Sequence, residues 1–239
     1  MAAPRHKAAL AMAAALLAAA IALLAGFQGM TDRAVSPSPS PGSDEKAADR
    51  DGFPDVDWAY WEGVNPDVVG WVTVPGTGID YPILQASESD PDFYLHHDAY
   101  RKWSVYGVPY LDASCAGGGL LGSRNAVVFG HHMNDGSMFA PFARFSTDEG
   151  FARDHARILV QTPSEKRVVE CRFAQIVDGS SRAKRTEFAD EADYRAWYKQ
   201  QLSEASTVLD AEARPDSLVT WCTCSYNYFS NERTLVCAS

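Results

Sequence analysis

Positive charge is scarce in this sequence: 21 Lys+Arg stand against 31 Asp+Glu in 239 residues, a formal charge of −10 with histidine neutral. Nucleic-acid binders neutralise phosphates with a basic face, so the shortage argues against such a partner. Cysteine is sparse too. Five in a chain of this length do not make a disulfide scaffold, and an odd number in an exported chain leaves at least one thiol unpaired within the monomer. No second cysteine pair accompanies Cys222-Thr223-Cys224, and its single intervening residue is fewer than zinc sites prefer, so no metal or other cofactor is expected. A bridge between those two is not expected either, because residues i and i+2 of a strand lie near the distance limit for a disulfide. No long internal repeat is visible. The bulk composition, 46% apolar and 22% charged, suffices to bury a core and excludes a mostly disordered or collagenous chain.

One long apolar run is present. Arg5, His6 and Lys7 precede an uncharged stretch from Ala8 to Phe27, about 30 Å as a helix and so about one hydrocarbon core. Basic residues on its N-terminal side favour an inside N-terminus and an exported remainder. Residues 1–30 are expected to be a membrane anchor, with a cleaved signal peptide, cut near Ala20-Ile21-Ala22, as the alternative. No cysteine near its end could take a lipid. Residues 31–51, with Ser36-Pro37-Ser38-Pro39-Ser40-Pro41 and a charged stretch, read as a solvated linker. The expected location is the cell membrane, crossed once, with residues 52–239 as a single acidic domain outside.

Within that domain β-type runs dominate. Gly70–Val74, Ile79–Leu84, Val105–Leu111, Ala126–Phe129, Arg157–Gln161, Val168–Val177, Leu218–Thr223 and Thr234–Cys237 are short and punctuated by Gly and Pro. This spacing predicts a mixed or antiparallel barrel. Two segments depart from it. Trp58 to Val69 reads as a helical lead-in, and Asp190 to Ala205 places Tyr194, Trp197, Tyr198, Leu202 and Ala205 at helical spacing, as an amphipathic helix whose aromatics belong to the core.

Val127-Val128-Phe129-Gly130 is a buried-type strand that delivers His131 and His132 to its end, beside a turn-forming loop at Asn134-Asp135-Gly136-Ser137. His131 suits proton transfer, and His132, facing the other way, suits orientation or packing. Leu218 to Cys224 runs a second strand into a thiol, and nine residues on Arg233 opens another. Neighbouring strands joined by such a loop can bring Cys224 and Arg233 to one rim. Thiol, imidazole and guanidinium are the parts of acyl transfer: nucleophile, proton shuttle and fixed positive charge for an oxyanion.

Thr220-Trp221-Cys222-Thr223-Cys224 resembles the Thr-Leu-x-Thr-Cys signature of sortases, with Arg233 where their arginine follows. Phe129 to Phe139 is similar to the class B form of the sortase histidine segment, and Asn65–Trp71, Ile79–Ile83, Tyr94-Leu95 and Gly107–Asp112 match that class too. The resemblance implies a mainly β fold with helices (α+β): an eight-stranded barrel with N-terminal helices and a long helix before the penultimate strand. It implies a cysteine transpeptidase of the Gram-positive surface. Cys224 would attack a threonine carbonyl in a C-terminal sorting signal of Asn-Pro-x-Thr type, His131 would protonate the leaving amine, and Arg233 would steady the oxyanion. Cys222, Thr223 and Leu95 would contact substrate. The partners would be surface proteins bearing the signal, and an amine of a peptidoglycan precursor or a pilin would resolve the thioester. Two positions depart from the class: Cys222 stands where serine is common, and Asp90-Pro91 where many relatives have Asp-Asn.

Two other functions fit the same residues. Water could resolve the acyl enzyme, giving a cysteine hydrolase. A metal- or haem-binding surface module could use His96-His97, His131-His132 and the two neighbouring thiols.

Overall fold

The computed structural model describes residues 49–225 and 230–239; the anchor expected over residues 1–30 and most of the linker lie outside the described residues. Asp57 caps the first helix, α1 (Trp58–Val64), by accepting a hydrogen bond from Tyr60 N at 2.9 Å. Pro66 bars helical geometry at the residue before it, so Asn65 is extended (φ −154°, ψ 104°) and the lead-in stops at Val64 rather than running to Val69. Among the described residues this is the one helix before the first strand, where more than one was expected, and no helix is long and apolar enough to cross a membrane.

The strands follow in order: β1 (Val68–Thr73), β2 (Asp80–Gln85), β3 (Tyr110–Leu111), β4 (Asn125–Phe129), β5 (Arg157–Gln161), β6 (Lys166–Asp178), β7 (Thr207–Val208), β8 (Leu218–Cys224) and β9 (Glu232–Ala238). Short helices intervene at α2 (Gly119–Gly122), α3 (Ala140–Ala143) and α4 (Glu149–Asp154), and a longer one, α5 (Glu191–Ser203), between β6 and β7. Asp190 caps α5 by accepting from Asp193 N. The expected strand at Val105–Leu111 shrinks to Tyr110–Leu111. Gly107 turns at φ +55°, and Pro109 has no N–H to donate, so the run before Tyr110 cannot pair as a strand.

Pairing runs β5-β1-β2-β3-β4-β8-β9-β6, and β6 closes on β5 through Arg157 opposite Glu170 to Gln161 opposite Lys166. The result is a closed eight-stranded barrel, with β7 added outside β6 and a long helix ahead of the penultimate strand, β8. Two contacts are parallel, β2–β3 and β4–β8.

Alternation along the strands sorts the side chains into two faces. Inward go Val72, Ile83, Val128, Trp221 and Val236, with Phe139, Phe142 and Phe145 from the α3 region filling the centre. Phe142 stacks on Trp221 at 5.6 Å and Phe139 meets it edge-on at 6.0 Å. Burial of each such ring contributes about 1.5–3 kcal/mol. Outward go Val127, Phe173, Cys222, Leu235 and Cys237, covered by Tyr194, Trp197 and Tyr198 of α5. A third cluster packs α1 and the 86–108 segment onto β1 and β2 through Trp61, Trp71, Leu84 and Tyr94. The Asp190 helix thus carries its aromatics as core, as its periodicity predicts.

Candidate active site

The β4–β8–β9 trio sets the site. Antiparallel register puts Cys224 directly opposite Arg233, which for side chains on one face means Cβ atoms about 4.5–5.5 Å apart. Trp221 faces the barrel interior, so Cys222 and Cys224 face outward, with Arg233 beside them. Arg233 Nη1 donates to the Glu232 carbonyl at 3.0 Å, and the residue is half-buried.

On the other side β4 runs parallel to β8 with Phe129 beside Cys222, and Gly130 N continues the ladder to the Cys222 carbonyl at 3.1 Å. Carried one residue further, that register sets His131 level with Cys224 and on the same outer face as Phe129. His131 Nε2 lies 2.8 Å from the Leu95 carbonyl. A carbonyl only accepts, so Nε2 carries the hydrogen and Nδ1 is left to exchange protons. His132 turns away, as its place in the strand predicts, and donates from Nδ1 to the Cys224 carbonyl at 2.8 Å. The two therefore differ in placement: His131 shares the outer face with Cys224, and His132 ties the β4 end to the Cys224 backbone.

The loop beyond is built rather than free. Asp135 accepts from Ser137 N, Ser137 Oγ and Tyr106 Oη, and Phe139 N donates to the His131 carbonyl at 2.8 Å. Met138 is buried in the left-handed region at φ +56°, a conformation costing about 1–2 kcal/mol; its N–H donates to Tyr81 Oη at 3.1 Å. Gly130 is needed for close approach, since a Cβ there would lie 2.5 Å from the Phe139 ring.

The five cysteines are all free, and all lie among the described residues. Four are buried and only Cys224 is partly open. Burial pushes the Cys222 thiol up to about 12 and Cys237 likewise to about 12, and raises Cys115 and Cys171 for the same reason. Burial disfavours their thiolates, and Cys224 is the one accessible thiol.

The substrate-contact expectations change here. Cys222 shares the outer face with Cys224 but is 1% exposed, inside the cluster under α5. Thr223 is also 1% exposed, opposite Thr234, with its side chain on the barrel side of β8. Neither side chain is open to a substrate, because each is covered from its own side of the sheet. Leu95 is at the site, through its carbonyl: it orients His131. Sequence reasoning missed that role, and no side-chain signal could have shown it.

A segment flanks β4 on its outer face, fastened at the Asn125 end. Ser181 caps a 3₁₀ turn at Arg182–Lys184, Asn125 Nδ2 donates to the Arg185 carbonyl at 2.7 Å, and Ser114 Oγ meets Thr186 Oγ1 at 2.8 Å. Arg185 grips Asp193 through Nη1 and Nη2. Between this segment and the sheet runs a cleft of about 1400 Å³ lined by Asp112, Phe129, Lys184 and Trp197 among others. Phe129, the register partner of Cys222, is the β4 residue on this cleft.

Three of the four histidines of the metal or haem alternative make other contacts, and His96 is exposed. His97 stacks on Phe93 at 3.8 Å and bonds its carbonyl at 2.7 Å, and His131 and His132 bond carbonyls as above. Among the described residues no group of three or more His, Cys, Asp or Glu is arranged to hold a metal ion.

No protein-family model matches the chain. It is 31% identical over 164 residues to sortase B of Listeria monocytogenes, covering 67% of this chain and 64% of that protein, so it spans just under two thirds of that relative's length. It superposes on sortase B of Clostridium perfringens with a TM-score of 0.68 at 28% identity, covering 75% of this chain and 97% of that one. A Staphylococcus aureus sortase B–substrate complex aligns with a TM-score of 0.65 at 23% identity, over 75% and 82% of the two chains. At that identity the likeness is one of fold, and the barrel described above is the fold they share.

Proposed function

The chain belongs to the class B sortases, and from that premise we propose that it is a cysteine transpeptidase of the cell surface. The observation that supports the reading is the strand register: Cys224, the one accessible thiol, lies opposite Arg233, and β4 beside it leads into His131, whose Nε2 is held by the Leu95 carbonyl.

The cycle starts from a Cys224 thiolate and a His131 imidazolium. Sulfur attacks the threonine carbonyl of a sorting signal, and Arg233 takes the charge that develops on oxygen. The C–N bond breaks as His131 gives its proton to the leaving amine, so a thioester remains on Cys224. An entering amine attacks the thioester and loses its proton to His131, and the new amide leaves with thiolate and imidazolium restored. Arg233 is permanently charged, so it needs no proton at either step.

The signal is of Asn-Pro-x-Thr type, and the acceptor is an amine of a peptidoglycan precursor or a pilin. Residues 8–27 would hold the enzyme at the membrane face, where both substrates arrive. Cys224, His131 and Arg233 are the proposed catalytic residues. Substrate contact through Cys222 or Thr223 is limited to the main chain by their burial, whereas the half-buried Leu95 keeps its side chain in the proposed role.

The test is a mass-spectrometric reaction of the full chain with an Asn-Pro-x-Thr peptide, with and without triglycine. The expected result is an acyl adduct on Cys224 that converts to a ligated product only when the amine is added. Cys224→Ala abolishes both, and ligation by that variant would end the proposal. A product mixture indifferent to amine would favour the hydrolase.

A further inference from the structure

Lys184 stands in the cleft wall as a half-buried ammonium. Its neighbours in charge are accounted for: Arg185 is gripped by Asp193, and Asp112 accepts from Ser114 N and Oγ. Lys184 donates only to the Gly179 carbonyl and lies 6.0 Å over the Phe129 ring, and among the described residues no carboxylate pairs with it. A partly desolvated cation held by one neutral carbonyl gains from an anion brought to it. Its field also reaches the β8 strand, where it opposes the upward push of burial on Cys222. Phe129, under Lys184, is the register partner of Cys222, and Cys222 and Cys224 are two residues apart on one face, about 6.6–7 Å, so Lys184 stands about one side-chain pair along the sheet from Cys224. The domain around it is acidic, with 16 Lys+Arg against 27 Asp+Glu in residues 51–239, which makes an unpaired cation at this position selective rather than general.

We infer that Lys184 tunes the cleft for a sorting signal with an acidic side chain immediately before the threonine. This rests on the transpeptidase reading of the same site. Glu204 and Glu187 also line the cleft and penalise an acidic residue placed elsewhere along the peptide.

Peptides of Asn-Pro-x-Thr type with x as Glu, Gln or Lys are compared by the rate of acyl-adduct formation on the full chain. The expected order in kcat/KM is Glu over Gln over Lys, with Glu about fivefold or more ahead of Lys at low salt and less so as salt rises. Lys184→Glu reverses the order, and Lys184→Met brings the three within about twofold. An order unchanged across the three enzymes overturns the inference, as does a Glu preference that appears only after the threonine. If the Gln peptide acylates Cys224 normally in these experiments, the transpeptidase reading stands even where Lys184 fails. If no peptide acylates Cys224 in any variant, that reading falls and takes the inference with it.

Discussion

A single side chain decides reactivity here by its burial. With four thiols sealed and Cys224 partly open, iodoacetamide should label one cysteine in the native chain and five after denaturation, read by peptide mass. Labelling of Cys222 in the native state would contradict its 1% exposure. The same burial sets an alkaline limit. An ordinary thiol titrates near 9.0 and Cys222 near 12 when folded, so between those values the folded chain keeps a proton that the unfolded chain has lost. The stability from Cys222 is whole below pH 9 and falls as pH rises through the folded value. Cys237 adds in the same direction. Thermal midpoints should therefore decline from pH 9 to 11, and the decline should be shallower in Cys222→Ala; parallel slopes would contradict it. At this scale the sequence made the placement of Cys224, His131 and Arg233 at strand ends readable, since each sits at the end of a short β-type run. It was silent on Leu95, whose contribution is a backbone carbonyl 36 positions from the histidine it holds.

Elements succeed or fail by what they bring to the strand ends. Gly107 sits at φ +55°, and a Cβ there would lie 2.5 Å from the Tyr94 carbonyl and 2.6 Å from that of Leu95. Gly107→Ala should displace the Leu95 carbonyl and loosen His131, lowering kcat about tenfold or more. Gly63, in α1 with nothing within 4 Å of its would-be Cβ, is the control: Gly63→Ala should stabilise by about 0.4–1 kcal/mol with activity unchanged. Asn125 tests the wall. Fully buried, it donates to the Arg185 carbonyl and accepts from Thr220 Oγ1 at 2.7 Å. Asn125→Ala leaves both partners unsatisfied, costing about 1–3 kcal/mol, and should raise KM more than it lowers kcat. Equal effects on both constants would assign Asn125 to stability alone. Strands such as Arg157–Gln161 and the Asp190 helix were legible from period. The four-residue α2 and α3 were not, because one helical turn displays no period, and the two-residue β7 displays none either.

Across the whole molecule the barrel depends on pairings that no local pattern announces. β4 and β8 lie side by side although Ala126 and its partner Val219 are 93 positions apart, and that parallel contact is what delivers His131 to Cys224. The run of β-type segments predicted a barrel, whereas strand order came only from the structure. The tether completes the argument at this scale. Asp49 pairs with Lys166 at 2.8 Å, and Arg157 donates to the Asp51 carbonyl at 2.7 Å, so the chain is already held to the β5–β6 hairpin at residue 49. Residues 28–48 then remain between the proposed anchor and the domain, a span of at most about 70 Å when fully extended. With residues 8–27 in a membrane, as proposed, a tether of that length would keep the site near the membrane face and raise its effective concentration against a membrane-bound acceptor. Deleting 31–43 should leave the rate with a soluble peptide and triglycine unchanged, and should lower ligation to a lipid-linked amine in vesicles several-fold. If the two acceptors respond alike, the linker serves no positioning role. If the chain recovered from cells lacks its first 22 residues and is found free of membranes, the segment is a cleaved signal and the tether argument ends there.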